Sequence, residues 1–209
     1  MKNMTAEEYI KDPSGSSSLP FWKSDTTLPD SIKVMRDDEF EESVPDIWED
    51  DPYFKMVHRL GDTEEILLHP DFEEASCSLS EMAEHINSCY EEEGISEAEL
   101  ANYRMSPVYD ETLWLCIKEK ESDKIAASAI GEFDRKTGEG ILDWIQVTEG
   151  FRGRGLGKYI VSELLRRLKG KADFVTVSGR TGNRTNPRAL YKACGFGEEI
   201  IWHVLRRIK

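Results

Sequence analysis

The chain has 209 residues, 39% of them hydrophobic, and a formal net charge of −14. This length and composition allow one α/β domain with a buried core and a short extension, and they exclude a disordered chain. The N-terminal residues lack the basic start and apolar stretch of a signal peptide, and no run approaches the roughly 20 apolar residues that span a bilayer. The composition therefore predicts a soluble, cytoplasmic protein with no membrane partner.

The charge is distributed unevenly along the chain. From Gly150 onward there are 14 Lys/Arg and 4 Asp/Glu, whereas the first 149 residues hold 13 basic and 37 acidic residues. A basic end suits a polyphosphate ligand, and an acidic part suits a cationic one, although a single acidic run is usually solvated surface.

The cysteines and histidines point to no metal site. No two cysteines form a C-x-x-C pair, and the spacings match no common zinc site, so reduced thiols are expected. The residues concerned are Cys77, Cys89, Cys116, Cys194, His58, His69, His85 and His203.

The N-terminal part reads as an irregular extension over residues 1–30, followed by a single domain over 31–209. Within the extension, Thr5 is suited to cap one short helix, AEEYIK, which ends at Asp12-Pro13. Alternation predicts a strand over residues 31–36, and a second extended segment is expected over residues 53–60.

Two helices are predicted next. The first opens at Ser80, carries apolar residues at helical spacing and ends at Gly94. Ser96 and Glu99 form a capping-box pattern, which predicts the start of a second, short helix.

The second half alternates strands and helices. LWLCIKEK, KIAASAIGEFD and GILDWIQV predict three antiparallel strands in a meander. A helix with an apolar face then runs to Gly170, and DFVTVSG predicts a further strand. Asn186-Pro187 is typical of a helix start, and IIWHVLRRI closes the chain as a strand.

A glycine-rich loop, RGRGLGK, joins a predicted strand to a predicted helix at residues 152–158. Glycines allow close backbone approach to a ligand, and a helix N-terminus attracts anions, so the loop suits a pyrophosphate. A phosphate-binding P-loop is excluded because Arg152 and Tyr159 stand where Gly and Ser/Thr are needed, and a dinucleotide fingerprint is excluded because Lys158 replaces its third glycine.

Two motifs resemble those of the GNAT superfamily of N-acetyltransferases. Residues 152–157 match the acetyl-CoA motif Q/R-x-x-G-x-G/A, and residues 147–151 resemble its V-x-P-x-Y lead-in, with Glu149 in place of Pro. Tyr191, Gly195 and Phe196 match the later Y-x-x-x-G-F signature. The likeness covers about residues 110–209.

The resemblance implies an α/β (α+β) fold with a mixed, mostly antiparallel sheet that is flanked by helices and splayed between its fourth and fifth strands. It also implies direct acetyl transfer to an amine, with acetyl-CoA as co-substrate and no metal. Backbone groups near Ile145 and Val147 would hold the pantetheine arm, and an amide there would stabilise the oxyanion. The implied acetyl-CoA contacts are Ile145, Val147, Arg152, Gly153, Arg154, Gly155, Leu156, Gly157, Lys158, Asn186 and Tyr191.

Two catalytic residues are proposed from the sequence. Tyr191 matches the family tyrosine that protonates the leaving thiolate, and its alternative role is packing under Phe196. Asp143, four residues before Val147 and expected on the same strand face, is the candidate base, with Glu132 as the alternative.

Other aspects of the sequence leave alternatives open. Family members commonly carry an Asn seven residues before the Tyr; here that position is Arg184, flanked by Asn183 and Asn186. The function expected is N-acetylation of a small-molecule or peptide amine by a monomer or homodimer, without nucleic acid. The acidic part of the chain favours a cationic acceptor. The alternative is an acyl-CoA sensor without turnover.

Overall fold

The computed structural model describes residues 4–41, 47–61, 63–90 and 93–208. The described part holds six α-helices and eight strands in two compact units, residues 1–59 with 176–209, and residues 60–175. The helices are α1 Ala6–Lys11, α2 Pro13–Ser16, α3 Leu79–Cys89, α4 Glu97–Arg104, α5 Leu156–Leu168 and α6 Pro187–Ala193. The strands are β1 Ile32–Arg36, β2 Trp48–His58, β3 Phe72–Glu74, β4 Tyr109–Glu119, β5 Ile125–Asp134, β6 Glu139–Val147, β7 Phe174–Arg180 and β8 Gly197–Arg207.

In the first unit, the C-terminal strand β8 lies between β1 and β2 and is antiparallel to both. β2 begins at Trp48, earlier than the predicted 53–60, because Pro52 is accommodated inside the strand opposite His203. β7 begins in the second unit, continues in the first and neighbours β2 there.

The N-terminal residues of the first unit are ordered around a buried lysine. Lys55 is 1% exposed, and its ammonium donates to the Tyr9 hydroxyl at 3.0 Å and to the carbonyls of Ser17 and Leu19 at 2.9 and 2.7 Å. A buried charge is costly unless it is hydrogen-bonded, so these three acceptors hold the N-terminal segment on β2. The predicted helix AEEYIK and its Thr5 cap are confirmed, whereas residues 13–16, expected as loop, form a helical turn capped by Asp12.

In the second unit, β6, β5, β4 and β3 are adjacent in that order, and the registers confirm the predicted antiparallel meander. Helices α3 and α4 cover one face of this sheet, where Ile130 is buried in a core with Met82 and Ile86. α5 covers the opposite face, because Gly131, the neighbour of Ile130, lies against Leu164.

The helix predictions for the second unit are confirmed with two corrections. α3 is capped by Ser78, whose hydroxyl and Glu81 form a capping box, and not by Ser80. It ends at Cys89, well before Gly94, because Tyr90 is already extended. The Ser96–Glu99 capping box of α4 and the apolar face of α5 are as predicted. The expected mixed, mostly antiparallel sheet flanked by helices is therefore confirmed.

Candidate active site

The glycine-rich loop leads into α5 with an open backbone. Gly153 and Gly155 have φ of 77° and 81°, the left-handed region that other residues rarely adopt. A Cβ added at either glycine would meet nothing within 4 Å. Gly155 is the N-cap of α5 and, as a glycine, provides no side-chain hydrogen bond to the first-turn amides. The loop thus offers helix N–H groups and the positive end of the dipole to an anion.

The three cations of the loop differ in what they contact. Arg152 is exposed, donates to the Val147 carbonyl at 3.2 Å and forms no ion pair with any residue that the structure describes. Arg154 binds the Asp71 carboxylate at 2.7 Å and Glu119 at 3.3 Å. Its guanidinium also lies 4.5 Å from the ring centroid of Phe72. Arg154 therefore fastens the loop to its own unit. Lys158 pairs with Glu64 at 2.8 Å, so Arg152 is the loop cation for which the described residues show no ion pair.

Strand β6 carries a bulge between Asp143 and Gln146. Asp143 pairs with Ile130 and Gln146 with Ser128, so two residues of β6 stand opposite Ala129 alone. One of them, Trp144, has φ of 44°, which is strained for a bulky residue.

The bulge changes which side chains of β6 share a face. Ser128 and Ile130 lie on the same face of β5, so their partners Gln146 and Asp143 do too. Val147 pairs with Ala127 and lies on the opposite face. The expectation that Asp143 and Val147 share one face is therefore wrong, because the extra residue reverses the alternation.

Tyr90, at the end of α3, contacts the bulge. Its hydroxyl donates to the Ile145 carbonyl at 3.3 Å, and its ring meets Trp144 edge-to-face at 5.4 Å. Burial, and then the charge of Asp143, raise the pKa of Tyr90, so the hydroxyl stays protonated and remains a donor. One acceptor position of the Ile145 carbonyl is consequently already occupied by the protein.

Two carboxylates lie on the α3 face of the sheet. Asp143 is half-buried and accepts the amide of Trp144 at 3.1 Å, and Glu132 is 1% exposed on the neighbouring strand. Glu132 pairs with Tyr109 on one side and Ile141 on the other. The two candidate bases thus differ in solvent access, and Asp143 is the more accessible.

A buried histidine that sequence reasoning missed organises the start of the loop. His85 on α3 is 7% exposed. Its Nδ1 lies 2.7 Å from Ser128 Oγ, and its Nε2 lies 2.8 Å from Thr148 Oγ1. Thr148 donates its own hydrogen to the Ile125 carbonyl at 2.9 Å, so Nε2 must carry the histidine proton. Nδ1 then accepts from Ser128.

The same network extends to Gln146. Its amide nitrogen donates to Ser128 Oγ, which completes a directed chain through His85 to Thr148. Burial lowers the pKa of His85 to about 4, in agreement with a neutral ring that donates at one nitrogen and accepts at the other. The network fixes Thr148, which follows β6 and precedes the loop.

Tyr191 and the second motif lie in the first unit. The Tyr191 ring is 6% exposed and packs against Phe196 and Phe54, with centroids 5.7 and 6.1 Å away. Gly195 has φ of 89°, and a Cβ there would come within 3.0 Å of His58, so both conformation and space require glycine.

The two asparagines before Tyr191 behave differently. Asn183 accepts the amide and the hydroxyl of Thr185 at 2.9 and 2.7 Å. Asn186 occupies the N-cap of α6 with φ of 49°, but its side chain makes no cap hydrogen bond. The helix start is as predicted from Asn186-Pro187. A cap at Asn186 is part of that pattern, but its side chain does not form the capping hydrogen bond.

Two features are absent among the residues that the structure describes. No cluster of three or more His, Cys, Asp or Glu side chains there is arranged to hold a metal ion. None of the described helices has the length and apolar character needed to cross a membrane.

Comparison with known proteins identifies the family. The model of the acetyltransferase (GNAT) family matches residues 79–196, more than half of the chain. The chain belongs to this family of acyltransferase enzymes, which confirms the resemblance carried by the two motifs. A comparison with curated proteins found no match.

Solved structures agree in fold. A GCN5-related N-acetyltransferase from Sphaerobacter thermophilus matches with a TM-score of 0.59 and 20% identity, over 75% of this chain and 52% of its own. A Drosophila protein matches with a TM-score of 0.61 and 18% identity, over 77% and 52%. The GCN5-related glucosamine N-acetyltransferase region of a fungal multi-domain β-N-acetylglucosaminidase matches with a TM-score of 0.55 and 16% identity, over 76% and 21%. This chain spans about half the length of the first two.

Proposed function

We propose that this protein transfers an acetyl group directly from acetyl-CoA to a primary amine. The observation that carries the proposal is the loop at 152–158, in which left-handed Gly153 and Gly155 open an uncapped helix of 13 residues. Such a loop suits the pyrophosphate of CoA, because N–H groups, the helix dipole and the exposed Arg152 all favour an anion there.

In this proposal, the bulged strand β6 binds the pantetheine arm and the thioester. Backbone groups of Ile145 and Val147 supply the hydrogen bonds, and an amide near Ile145 stabilises the oxyanion of the tetrahedral intermediate. Support comes from the bulge at Trp144, because bulges redirect backbone groups away from the ladder, and from Tyr90, which braces the Ile145 carbonyl.

The acceptor is proposed to be a cationic amine, with Asp143 as its general base. Asp143 is a half-buried carboxylate on the α3 face, and the first 149 residues hold 37 acidic and 13 basic side chains. An ammonium must lose a proton before its nitrogen attacks, and a carboxylate in contact, or one water away, can take it. Tyr191 is proposed as the acid that protonates the CoA thiolate, as its motif implies.

Thiol release from acetyl-CoA tests the proposal. The purified protein is assayed against a polyamine, an amino sugar and a peptide amine; glucosamine is included because one structural neighbour carries that activity in its name. We expect amine-dependent thiol release with at least one class, and acetyl-CoA should raise the melting temperature. A raised melting temperature without turnover would instead favour an acyl-CoA sensor, and no rise at saturating acetyl-CoA would contradict the loop assignment.

A further inference from the structure

Two cysteines of the second unit lie side by side between β4 and the start of α3. The amide of Ala75 donates to the Cys116 carbonyl at 2.9 Å, which continues the antiparallel pairing of β3 and β4. Cys77 follows two residues later and packs against the core cluster that contains Cys116. None of the four cysteines is in a disulfide.

The two thiols have unequal surroundings. Cys77 is partly exposed, whereas Cys116 is 3% exposed. The hydrogen bond from Cys116 lowers the pKa of Cys77, against opposing contributions from burial and Glu81, and with help from Lys118 and Arg104. The same hydrogen bond and burial raise the pKa of Cys116. A partly exposed cysteine with a lowered pKa, close to a second thiol, is the arrangement of an oxidation-sensitive cysteine with its resolving partner.

The other two cysteines provide an internal contrast. Cys89 is also partly exposed, but burial raises its pKa, and its contacts are with Ser88 and His85. Cys194 lies at the end of α6 in the first unit. Cys77 and Cys89 are thus both partly exposed but differ in the direction of their pKa shifts, so exposure alone does not distinguish Cys77.

We propose that Cys77 and Cys116 form an oxidation site that a hydroperoxide converts to an intramolecular disulfide. Cys77 loses its thiol proton and its sulfur attacks the peroxide. The O–O bond breaks, a Cys77 sulfenic acid forms, and the leaving hydroxide (or alkoxide) takes up the released proton to give water (or an alcohol). The Cys116 sulfur then attacks the Cys77 sulfur, the S–O bond breaks, an S–S bond forms, and water leaves with the Cys116 proton. Two thiols are oxidised and one peroxide is reduced.

The bond would connect two functional elements of this unit. Cys77 directly precedes Ser78, the N-cap of α3, and α3 carries His85 and Tyr90. Oxidation would therefore tie the start of α3 to β4. The proposal does not depend on acetyl transfer, because it rests only on the thiols.

Peroxide titration followed by mass spectrometry tests the site. The folded protein is treated with one equivalent of hydrogen peroxide, quenched with an alkylating reagent and digested. We expect a loss of two hydrogens that dithiothreitol reverses, and a linked peptide pair containing Cys77 and Cys116. C89S and C194S should behave as wild type, whereas C77S should lose the reaction.

Two further measurements probe the same site, and the second uses only the wild-type protein, so it does not depend on the folding of a variant. C116S should accumulate an oxygen adduct on Cys77 that dimedone traps, and iodoacetamide should label Cys77 faster than Cys89 in the wild-type protein at pH 7. The proposal would be overturned by oxygen addition to wild type without cross-linking, by a cross-link that involves Cys89 or Cys194, or by slower labelling of Cys77 than of Cys89.

Discussion

Lys158 Nζ lies 2.8 Å from Oε2 of Glu64, so the cation at the end of the glycine-rich loop is paired with a carboxylate of its own unit. Arg154 is paired in the same way with Asp71. Any phosphate that binds at the loop through Lys158 must therefore compete with Glu64. The pair is exposed, which makes it weak and sensitive to salt.

Removing the competing carboxylate should strengthen acetyl-CoA binding. E64Q removes the carboxylate that competes with a phosphate for Lys158. We expect roughly two- to fivefold tighter binding, the range of an exposed ion pair worth a few tenths of a kcal/mol to 1 kcal/mol. Calorimetry at low and high salt measures the effect, which should shrink as salt rises. E65Q, which changes the charge equally at the neighbouring residue, is the control; equal gains in both variants would show a general charge effect instead.

Tyr191→Phe separates chemistry from packing. If the hydroxyl protonates the leaving thiolate, kcat should fall roughly 10²–10⁴-fold, while acetyl-CoA affinity changes by no more than about twofold. The ring packing against Phe54 and Phe196 is retained by phenylalanine. Y53F, which removes a hydroxyl bonded to Arg180 in the same unit, is the control. A parallel loss of affinity and turnover would make Tyr191 a binding or packing residue.

Asp143→Asn tests the proposed base. Removing a general base should lower kcat by roughly 10²–10⁴-fold and abolish the acidic limb of the pH–rate profile. E132Q, on the same sheet face but almost fully buried, is compared alongside. A profile that D143N leaves unchanged and E132Q alters would reassign the base to Glu132.

The buried His85 predicts a pH-dependent stability. Its pKa is lowered from 6.5 to about 4 by burial, so between these values the unfolded chain binds a proton that the folded protein does not. The free energy of unfolding should therefore fall as pH drops from 6.5 to about 4, by about 3 kcal/mol in total. Above pH 6.5, the titration of His85 should add no pH dependence to the free energy of unfolding.

Urea unfolding at several pH values measures that slope. His85→Gln should lose this part of the pH dependence, and H69Q, a change of an exposed histidine, should keep it. Equal slopes in wild type and H85Q would contradict the assignment of a neutral, Nε2-protonated ring.

The elements that local pattern specifies were predictable from the sequence. The apolar spacing of α5, the alternation of the meander and the loop glycines depend on residues close together in the chain, and all were found. His85 was missed because it sits inside a helix one position before Ile86, although its spacing from Met82 places it on the same buried side.

Features that depend on tertiary contacts were not accessible to the same reasoning. The bulge at Trp144 follows from the register between β5 and β6, so the faces of Asp143 and Val147 were assigned incorrectly. The role of Lys55 depends on Tyr9 and two carbonyls far away in the chain, and its only local signal is a lysine within the apolar run FKMVH. β3 has three residues, too few for a periodic pattern.

The central claim is tested most directly by titrating acetyl-CoA into wild type, G155D and G170D in a calorimeter. Gly155 and Gly170 lie at the two ends of α5. Both have φ of 81°, and a Cβ at either would meet nothing within 4 Å, so the two substitutions should introduce similar backbone strain. Wild type and G170D should bind one equivalent with similar affinity, and G155D should bind roughly 10- to 100-fold more weakly, because its carboxylate occupies and repels the phosphate position. Equal binding by G155D, or no binding by wild type at saturating acetyl-CoA, would contradict the account.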